Sequence, residues 1–511
     1  MAIQTITKMG IIGTGVMGAG IAQIAAQADI DVFLFDAREG GAQAAKDSLT
    51  KTLNKLVEKG KITEAAAKQS IDHLIVTSKI EELAPCDMVV EAIVENLDVK
   101  RGLVQQLEEI LRPEAIIASN TSSLSVSAIA AGTKNPERVA GFHFFNPVPL
   151  MKVVEVIPGI KTDPAICDLL QDLAVKMGHT GVRAKDTPGF IVNHAGRAYG
   201  TEALKILGEG VATIGDIDRV LREGAGFRMG PFELLDLTAL DVSHPAMESI
   251  YNQFYQEPRY RPHPLTRQML VAGLLGRKVN EGFYRYDKGT MLNPAQPQPV
   301  PSVSNIPAVW LGVECDEDRK VLTDLVSKLG GTVETSTQPS ANAICLLAPW
   351  GEDATTASIR YNVDPERTVC IDLLCNIEKH RTLMLTPITK TEIRDAAHAL
   401  FAKDEVSVTV IHDSNGFIVQ RILAGIVNLA CDIAQQQIAS VKDIDLAVRL
   451  GLGYPNGPLA WGDILGAKRI LTILERINAA TGDPRYRPSP WLRRRALLGI
   501  PVCHEETTIN H

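Results

Sequence analysis

The chain has 511 residues, enough for three or four domains that each bury a core of their own. Hydrophobic residues make up 45% and charged residues 22%, which is typical of a globular protein and excludes a disordered or fibrous chain. The 52 basic and 60 acidic residues give a net charge of −8, so no basic excess is available to hold nucleic acid.

Cysteine content and apolar runs indicate the compartment. The eight cysteines form neither a C-x-x-C pair nor a dense cluster, so we expect no disulfide scaffold and no metal site. The apolar run at the N-terminus is broken by glycines, and no stretch reaches 18 apolar residues. We therefore expect a soluble, cytoplasmic protein without a signal peptide or a membrane segment.

The first elements of the chain predict a strand, a helix and a second strand. Met9–Gly13 is a short apolar run, Met17–Ala28 has helical spacing, and Asp31–Asp36 is again strand-like. Further apolar runs predict a mostly parallel, doubly wound sheet; they are Met88–Ala92, Ala115–Ser119, Val139–Phe142 and Val153–Ile157. The fold expected here is a Rossmann-like α/β domain.

A G-x-G-x-x-G motif lies where the first strand meets the first helix, with Asp36 at the end of the next strand. Gly13 permits a tight turn, Gly15 lets the backbone approach a pyrophosphate, and Gly18 lets the helix pack on the strand. The start of the helix offers unpaired N–H groups to the phosphates. Asp36 would accept hydrogen bonds from ribose hydroxyls and repel a 2′-phosphate, so the sequence predicts NAD rather than NADP.

A histidine and a glutamate are the candidate catalytic pair. His143 emerges near the end of an apolar run, and ligands of doubly wound sheets lie beyond the carboxyl ends of strands. Glu155 is an acid inside the apolar strand Val153–Ile157, where a charge is costly unless it is paired. Together they would form a general base that works near neutral pH. A buried pair that merely satisfies itself is the open alternative.

Two polar residues follow the same logic. Ser122 comes after the predicted strand Ala115–Ser119, where its hydroxyl could meet a substrate oxygen. Asn193 begins the helix that follows the turn Asp186–Phe190. Either residue could instead be a helix cap.

Beyond Phe190 the strand signals fade and helical patterns continue to about Phe283. Four prolines in Asn293–Pro301 predict an extended spacer. Strand-like runs then return, followed by helices after Phe417. The expected architecture is thus a Rossmann-like domain (1–187), a helical domain (188–290), a linker (291–303), a degenerate Rossmann-like domain (304–412) and a second helical domain (413–511), an α/β plus all-α protein.

The helical domain is duplicated. Four of five matching pairs differ in residue number by the same amount, which we call the duplication offset, and the fifth is shifted by a single position. The pairs are Asp186–Asn193 with Asp413–Gln420, Asp216 with Asp443, Asp218 with Asp445, Gly230–Asp236 with Gly457–Asp463, and, last, Glu257–Pro264 with Asp483–Pro490. This period is too long for a solenoid.

The second α/β domain lacks the nucleotide motif of the first. The segment Gly312–Asp318 does not contain a G-x-G-x-x-G motif, and carboxylates crowd the start of the helix there. Such charges suit a helix N-terminus but would oppose a pyrophosphate. We therefore expect no dinucleotide in this domain.

Several motifs of the first 290 residues together resemble the 3-hydroxyacyl-CoA dehydrogenase family. They are Gly13-x-Gly-x-x-Gly18, Val90–Asn96, Ser119–Leu124, His143–Pro149, Asp186–Asn193 and Gly276–Tyr284. The resemblance implies NAD-dependent oxidation of a (3S)-hydroxyacyl-CoA to the 3-oxoacyl-CoA. It implies that His143 and Glu155 form the catalytic dyad and that Ser122 and Asn193 orient the reacting oxygen.

Binding residues follow from the same resemblance. The positions implied to contact NAD are Asp36, Glu95, Lys100, Ser122, Asn146 and Lys278, in addition to the glycines. Ser48 and Lys55 are implied to contact the coenzyme A moiety.

The length and the duplication resemble the long bacterial members associated with phenylacetate degradation, whose substrate is 3-hydroxyadipyl-CoA. The distal carboxylate of such a substrate needs a cation in the acyl pocket. Arg197 lies one helical turn beyond Asn193 and is the first candidate, and Arg259–Pro262 is a second. A surface salt bridge or a helix cap is the open alternative for either.

The second copy has Gln420 in place of Asn193 and no His–Glu pair, so we expect it to be catalytically silent. We expect it to pack against the first copy as a dimer partner would, and a homo-oligomer is possible. A tethered remnant without such a role is the alternative.

Two other functions compete for the whole chain. One is a non-catalytic NAD- or CoA-binding protein, and the other is a β-hydroxyacid dehydrogenase acting on a free acid. The latter relies on a catalytic lysine. A fused hydratase is not expected, because the chain lacks the extra block that it needs.

Overall fold

A computed structural model describes residues 5–292 and 294–506. The chain forms two compact units. The first holds the described residues up to His194 together with Gln436–Gly453, and the second holds Ala195–Gln435 and the described residues from Tyr454 onward. The predicted division into five segments differs from this division into two units and stays a prediction. Asn293 of the predicted linker, residues 1–4 of the first domain and residues 507–511 of the last lie outside the described residues.

The first unit is built on an eight-stranded sheet of order β3-β2-β1-β4-β5-β6-β7-β8. All neighbours are parallel except β6 and β7. Its strands are β1 (Lys8–Ile12), β2 (Asp31–Phe35), β3 (Leu74–Val76), β4 (Met88–Glu91), β5 (Ile116–Ser119), β6 (Val139–Phe144), β7 (Val153–Pro158) and β8 (Thr180–Arg183). Its helices include α1 (Val16–Ala26), α2 (Gly41–Glu58), α3 (Glu64–Asp72), α4 (Leu97–Ile110), α5 (Val126–Ala130) and α6 (Pro164–Lys176). The predicted Rossmann-like sheet is confirmed.

Apolar side chains on both faces of this sheet are buried. In β1, Met9 and Ile11 join the core under α1, whereas Ile12 joins the core beneath α4. Helices cover both faces, which is why most residues of the central strands are apolar. The doubly wound pattern places the carboxyl ends of the parallel strands at one edge of the sheet.

Helices take over after β8, as predicted. They are α7 (Val192–Ala195), α8 (Arg197–Gly208), α9 (Ile214–Arg219), α10 (Pro231–Thr238), α11 (Leu240–Gln253) and α12 (Pro264–Val271), with a π-helical turn at Val220–Gly224. The hairpin β9 (Arg285–Asp287) and β10 (Thr290–Leu292) was not predicted. Asn193 and Arg197 do not share one helix, because Gly196, a weak helix former, separates α7 from α8.

A second sheet of six strands has the order β12-β11-β13-β14-β15-β16, with β14 and β15 antiparallel. Its elements are β11 (Val309–Val313), α13 (Asp316–Lys328), β12 (Val333–Glu334), β13 (Ile344–Ala348), α14 (Ala354–Arg360), β14 (Thr368–Ile371), β15 (His380–Leu385), α15 (Thr391–Phe401) and β16 (Ser407–Ile411). The closing helices are α16 (Ile418–Gln435), α17 (Val441–Leu452), α18 (Pro458–Leu465), α19 (Ala467–Thr481) and α20 (Pro490–Leu498). The predicted second copy of both domain types is confirmed.

Helix α16 is long and apolar enough to cross a bilayer by length and composition alone. Its 18-residue window is 83% buried inside the protein, and it packs against α8, α18, α19 and α20. It is therefore packed as the central helix of the second unit.

Within the second unit the two helical copies meet through equivalent residues. Ala198 lies against Gly425, and the ring of Phe227 is 5.1 Å from that of Tyr454; both pairs are separated by the duplication offset. The arginine contacts are reciprocal as well: Arg259 donates to the carbonyl of Arg487 (2.6 Å), and Arg485 donates to that of Arg261 (3.3 Å). Such reciprocity is the property of an isologous interface.

Each sheet also receives a segment of the other copy. In the first unit the N–H of Lys185 donates to the carbonyl of Ile438 (2.8 Å). In the second unit the N–H of His412 donates to the carbonyl of Val211 (3.0 Å). The two donors differ in number by the duplication offset, and so do the two acceptors. The same hydrogen bond is therefore made twice, with the donor in one copy and the acceptor in the other.

Candidate active site

The glycine-rich turn between β1 and α1 has the geometry of a phosphate cradle. Gly13 has a φ of +87°, which a side chain would strain, and a Cβ on Gly18 would lie 1.9 Å from the carbonyl oxygen of Gly13. A Cβ on Gly15 would meet nothing within 4 Å. Gly15 precedes the first turn of α1 without any side-chain cap, so these N–H groups are available to an anion. The three positions fit a pyrophosphate.

Asp36 follows β2 and is bound to the same turn. It accepts hydrogen bonds from the N–H (2.9 Å) and hydroxyl (2.7 Å) of Thr14, and from the backbone and guanidinium of Arg38. The guanidinium of Arg38 is the main cause that holds the pKa of Asp36 well below its ordinary value. A charged Asp36 suits ribose hydroxyls, which would compete for it with the exposed Arg38 side chain.

Lys100 lies in a buried acidic network rather than on the surface. Its ammonium contacts both carboxylate oxygens of Glu91 (2.9 and 2.8 Å) and lies 3.4 Å from Glu95. Ser119 also donates to Glu91. Burial raises the pKa of Glu91, and the nearby Lys100 opposes that rise. The side chain implied to contact NAD thus neutralises two acids of its own domain.

Glu95 fixes the loop that carries Ser122. One of its oxygens accepts from the hydroxyl of Thr121 (2.8 Å) and from the N–H groups of Ser122 and Ser123 (2.9 Å each). Burial alone would raise the pKa of Glu95, but Lys100 and these donors lower it below its ordinary value. Ser122 is half-buried, and its hydroxyl lies 3.3 Å from Glu95.

The structure brings His143 and Glu155 together. They stand directly opposite each other in the antiparallel pair β6 and β7, and the Nδ1 of His143 is 2.6 Å from a carboxylate oxygen of Glu155. Glu155 is fully buried, and His143 is 4% exposed. With an ionised Glu155 as acceptor, Nδ1 carries the proton and Nε2 keeps its lone pair. The arrangement holds one imidazole tautomer ready to accept a proton at Nε2.

The second oxygen of Glu155 binds the turn before α7. It accepts from the N–H groups of Ile191 (2.8 Å) and Val192 (2.9 Å). At the other end of the turn, Asp186 accepts from the hydroxyl of Ser125 (2.8 Å) and from the N–H groups of Val126 and Ser127 at the start of α5. The half-buried Asn193 comes directly after Val192.

The other predicted residues are more scattered. In the first unit Asn146 is exposed and precedes a cis-proline bond, while Ser48 and Lys55 lie exposed on α2. Lys278 and Arg197 belong to the second unit. There Lys278 pairs with Asp241, and burial lowers the pKa of Arg197.

Glu91 and Asp186 have structural roles at the site that were not predicted from the sequence. Glu91 ends a buried strand, and an acid in that position needs a cation, which was a signal for Lys100 as its partner. Asp186 stands at the start of a turn, and an acid in that position is typical of a residue that binds backbone N–H groups.

The corresponding region of the second sheet is occupied by ion pairs. Around the start of α13, Glu314 pairs with Arg360 (2.5 Å) and Arg476 (2.7 Å), and Asp318 pairs with Arg469 (2.7 Å). These contacts support the prediction that no dinucleotide binds there.

The second sheet also differs at the position that corresponds to His143 and Glu155. Asp372 directly follows β14, and its N–H donates to the carbonyl of Thr382 on β15. Its carboxylate accepts from Gln420, and burial raises its pKa to about 6.

Comparisons with known proteins agree across nearly the whole chain. Residues 8–187 match the NAD binding domain of 3-hydroxyacyl-CoA dehydrogenase. Residues 189–286 and 416–500 both match the C-terminal domain of that family, and the starts of the two matches are separated by the duplication offset. The second match coincides with the helical duplication.

Individual relatives show the same pattern. The chain is 38% identical to a 3-hydroxyadipyl-CoA dehydrogenase of Escherichia coli, over 97% of this chain and 98% of that one. A probable 3-hydroxybutyryl-CoA dehydrogenase of Deinococcus radiodurans is 43% identical and matches 55% of this chain along its whole length. A crystal structure of 3-hydroxybutyryl-CoA dehydrogenase from Escherichia coli superimposes with a TM-score of 0.83 and 36% identity, over 97% of this chain and 99% of that one.

Proposed function

The chain belongs to the 3-hydroxyacyl-CoA dehydrogenase family, and from that premise we propose that His143 and Glu155 provide the general base for NAD-dependent oxidation of the 3-hydroxyl group of a (3S)-hydroxyacyl-CoA. Membership confirms the resemblance that the motifs indicated, the NAD cofactor and the class of oxidoreductase. The roles of individual residues remain our proposal. The observation that carries it is the 2.6 Å contact between two buried side chains at opposed strand positions.

The protein contributes a base and its support. Nε2 of His143 accepts the proton of the substrate hydroxyl, and the imidazolium that forms is stabilised by the carboxylate of Glu155. When bound, NAD⁺ supplies the hydride acceptor for C3 of the substrate. In the reverse direction His143 donates the proton to the carbonyl oxygen. Two backbone N–H groups, those of Ile191 and Val192, also bind Glu155 and hold it in place.

Other residues are assigned to binding. Ser122 and Asn193 orient the reacting oxygen, and Ser48 and Lys55 contact coenzyme A. The NAD contacts are Gly13, Gly15, Gly18, Asp36, Glu95, Lys100, Ser122, Asn146 and Lys278. The cradle at Gly15 and the charge on Asp36 support this assignment for the pyrophosphate and ribose.

One assay tests the reaction. NADH formation is followed by absorbance with a panel of (3S)-hydroxyacyl-CoA substrates and with the matching free 3-hydroxy acids. We expect turnover with the thioesters only. Turnover of the free acids would indicate a β-hydroxyacid dehydrogenase, and no turnover with any substrate would leave a non-catalytic binding protein.

The preferred substrate is a finer proposal. Similarity over the full length to a relative named for 3-hydroxyadipyl-CoA favours an acyl chain with a distal carboxylate, and Arg197 is our candidate for binding it. Arg197→Ala should then reduce kcat/KM for 3-hydroxyadipyl-CoA about tenfold or more beyond its effect on 3-hydroxybutyryl-CoA. An equal loss on both substrates would contradict a carboxylate-binding role.

We propose that the second copy packs against the first as a dimer partner would, and that it catalyses no reaction of its own. The reciprocal contacts of Arg259 and Arg485 support the first part, and the ion pairs of Glu314 and Asp318 support the second. Isothermal titration should find one NAD per chain, and two per chain would refute a silent copy.

A cytoplasmic location is part of the same proposal. Buried cysteines such as Cys86 and Cys370 form no disulfide, which suits a reducing compartment. Fractionation of cells that produce the protein tests this location, and recovery of the enzyme outside the cytoplasm would contradict it.

A further inference from the structure

Helix α17 belongs by sequence to the second helical copy, yet it lies in the first compact unit, against β7 and β8. We propose that α17 positions the active-site turn Asp186–Asn193, and that Gly451 is the positioning residue. This inference rests on the proposed roles of His143 and Glu155. It gives the second copy a part in the reaction, although we propose that this copy catalyses no reaction of its own.

The segment that leads into α17 holds the start of the turn. The backbone N–H of Lys185 donates to the carbonyl of Ile438 at 2.8 Å, and its ammonium donates to the carbonyl of Gln436 at 3.2 Å. Lys185 immediately precedes Asp186, the residue that binds the start of α5. The N-terminal end of the turn is therefore fixed from both sides.

Gly451, near the end of α17, controls the other end of the turn. It is buried, and a Cβ on it would lie 3.0 Å from both methyl groups of Val192 and 3.5 Å from a methyl group of Val153. Contacts of 3.0 Å are tighter than ordinary van der Waals distances, so any side chain must displace its neighbours. Only glycine lets this helix approach the turn so closely.

Val192 transmits that displacement to the catalytic pair. Its N–H donates to Glu155 at 2.9 Å, beside that of Ile191, and Val153 lies on the same strand two residues before Glu155. A shift of Val192 would lengthen a hydrogen bond to a fully buried carboxylate whose other oxygen holds His143. Small errors in such geometry are costly in rate, because the base must be held at reacting distance.

The duplication supplies a matched control. Gly224 precedes Gly451 by the duplication offset and lies beside β15 in the second unit, where a Cβ would lie 3.2 Å from the Cβ of Cys375 and 3.6 Å from that of His380. His380, the first residue of β15, contacts Glu223 through one ring nitrogen, but its other ring nitrogen is engaged by Thr409, unlike the Nε2 that we assign as the base in His143. A side chain at Gly224 disturbs the same kind of interface without touching the reaction.

Gly451→Val and Gly224→Val are compared in the full-length protein. We expect both variants to lower Tm, whereas only Gly451→Val lowers kcat, by about tenfold to a hundredfold, with the Kd for NAD unchanged within about twofold. Equal kcat values for the two variants would overturn the proposal, as would a loss of NAD affinity that parallels the loss of kcat. Gly451→Ala is the milder variant should valine prevent folding, and its kcat should again fall below that of Gly224→Ala.

A double variant tests whether Gly451 acts through Glu155. In a Glu155→Gln background, Gly451→Val should reduce kcat by less than about twofold further, because coupled residues are not additive. An undiminished second loss would contradict the proposal. The proposed function can fail independently of this inference. An unchanged rate in His143→Gln would refute the catalytic dyad. An inactive His143→Gln, together with equal kcat values for Gly451→Val and Gly224→Val, would refute only the positioning role.

Discussion

His143 stands directly opposite Glu155 in the antiparallel pairing of β6 with β7, so that two adjacent strands fix both partners of the dyad. Replacing His143 by Gln keeps a polar side chain but removes the base. We expect kcat to fall by a factor of about 100 to 10,000, with the Kd for NAD nearly unchanged. Steady-state kinetics and titration with NAD measure the two effects.

His179→Gln is the matched control for this substitution. His179 is also buried in the first unit, where its ring contacts the carbonyls of Met177 and Val148. The control should lower stability but leave kcat within about threefold of wild type. Similar kinetic losses in both variants would point to general damage to the domain.

Two glycines of the nucleotide turn should respond differently to alanine. A Cβ on Gly15 meets open space, so Gly15→Ala should cost less than about 1 kcal/mol of stability. Because the added methyl group lies where the pyrophosphate must approach, we expect NAD binding to weaken about tenfold or more. Gly18→Ala forces a Cβ against the carbonyl of Gly13 and should cost about 1–3 kcal/mol. Thermal unfolding and NAD titration separate the two, and a reversed order would contradict the cradle.

Lys100 should be important for stability because it neutralises buried acids. Lys100→Met leaves Glu91 buried without its cation, and we expect a loss of about 3–5 kcal/mol. Adding Glu91→Gln should recover part of that loss. Lys134→Met, which breaks the exposed pair with Glu109, should change stability little. Urea unfolding measures all three, and equal effects of the two lysine variants would disprove the buried network.

Asp372 should make stability depend on pH. Burial raises its pKa from 3.8 to about 6, so between about pH 4 and 6 the folded protein retains a proton that the unfolded chain has released. The contribution of Asp372 to the free energy of unfolding therefore falls as pH rises through this window, by about 3 kcal/mol in total. Asp372→Asn resembles the protonated form, so its stability relative to wild type should increase from pH 4 to pH 7. Urea unfolding of this variant and of Asp324→Asn, at an exposed position, provides the test; a pH-independent difference would contradict it.

The strongest sequence signals were local. The apolar runs around Met9 and Asp31 predicted β1 and β2, because strands buried on both faces carry few polar interruptions. Short strands escaped prediction: β8 (Thr180–Arg183) contains a threonine, a glycine and an arginine, and β12 has only two residues. Their identity as strands depends on pairing with neighbours rather than on their own pattern.

The contact between His143 and Glu155 was predictable, because an acid inside an apolar strand needs a partner. The interactions that hold this pair in place were not predictable. The N–H groups that bind Glu155 belong to Ile191 and Val192, whose side chains are apolar, and Gly451 lies in the other half of the chain. Contacts between distant backbone atoms leave no periodic pattern in a sequence.

Arg421 shows what covalent joining of the two copies makes possible. It is buried on α16, where it contacts Glu202 (2.8 Å), Glu209 (2.6 Å) and the hydroxyl of Tyr486 (3.0 Å). The duplication offset relates this arginine and its two acids to His194, Leu429 and Gln436, so the other half has no such triad. In a homodimer every mutation appears on both sides of the axis, and a cation that suits one side must be tolerated by the other. A fused pair is free of that restriction, and each half can evolve its own charges while the halves stay joined.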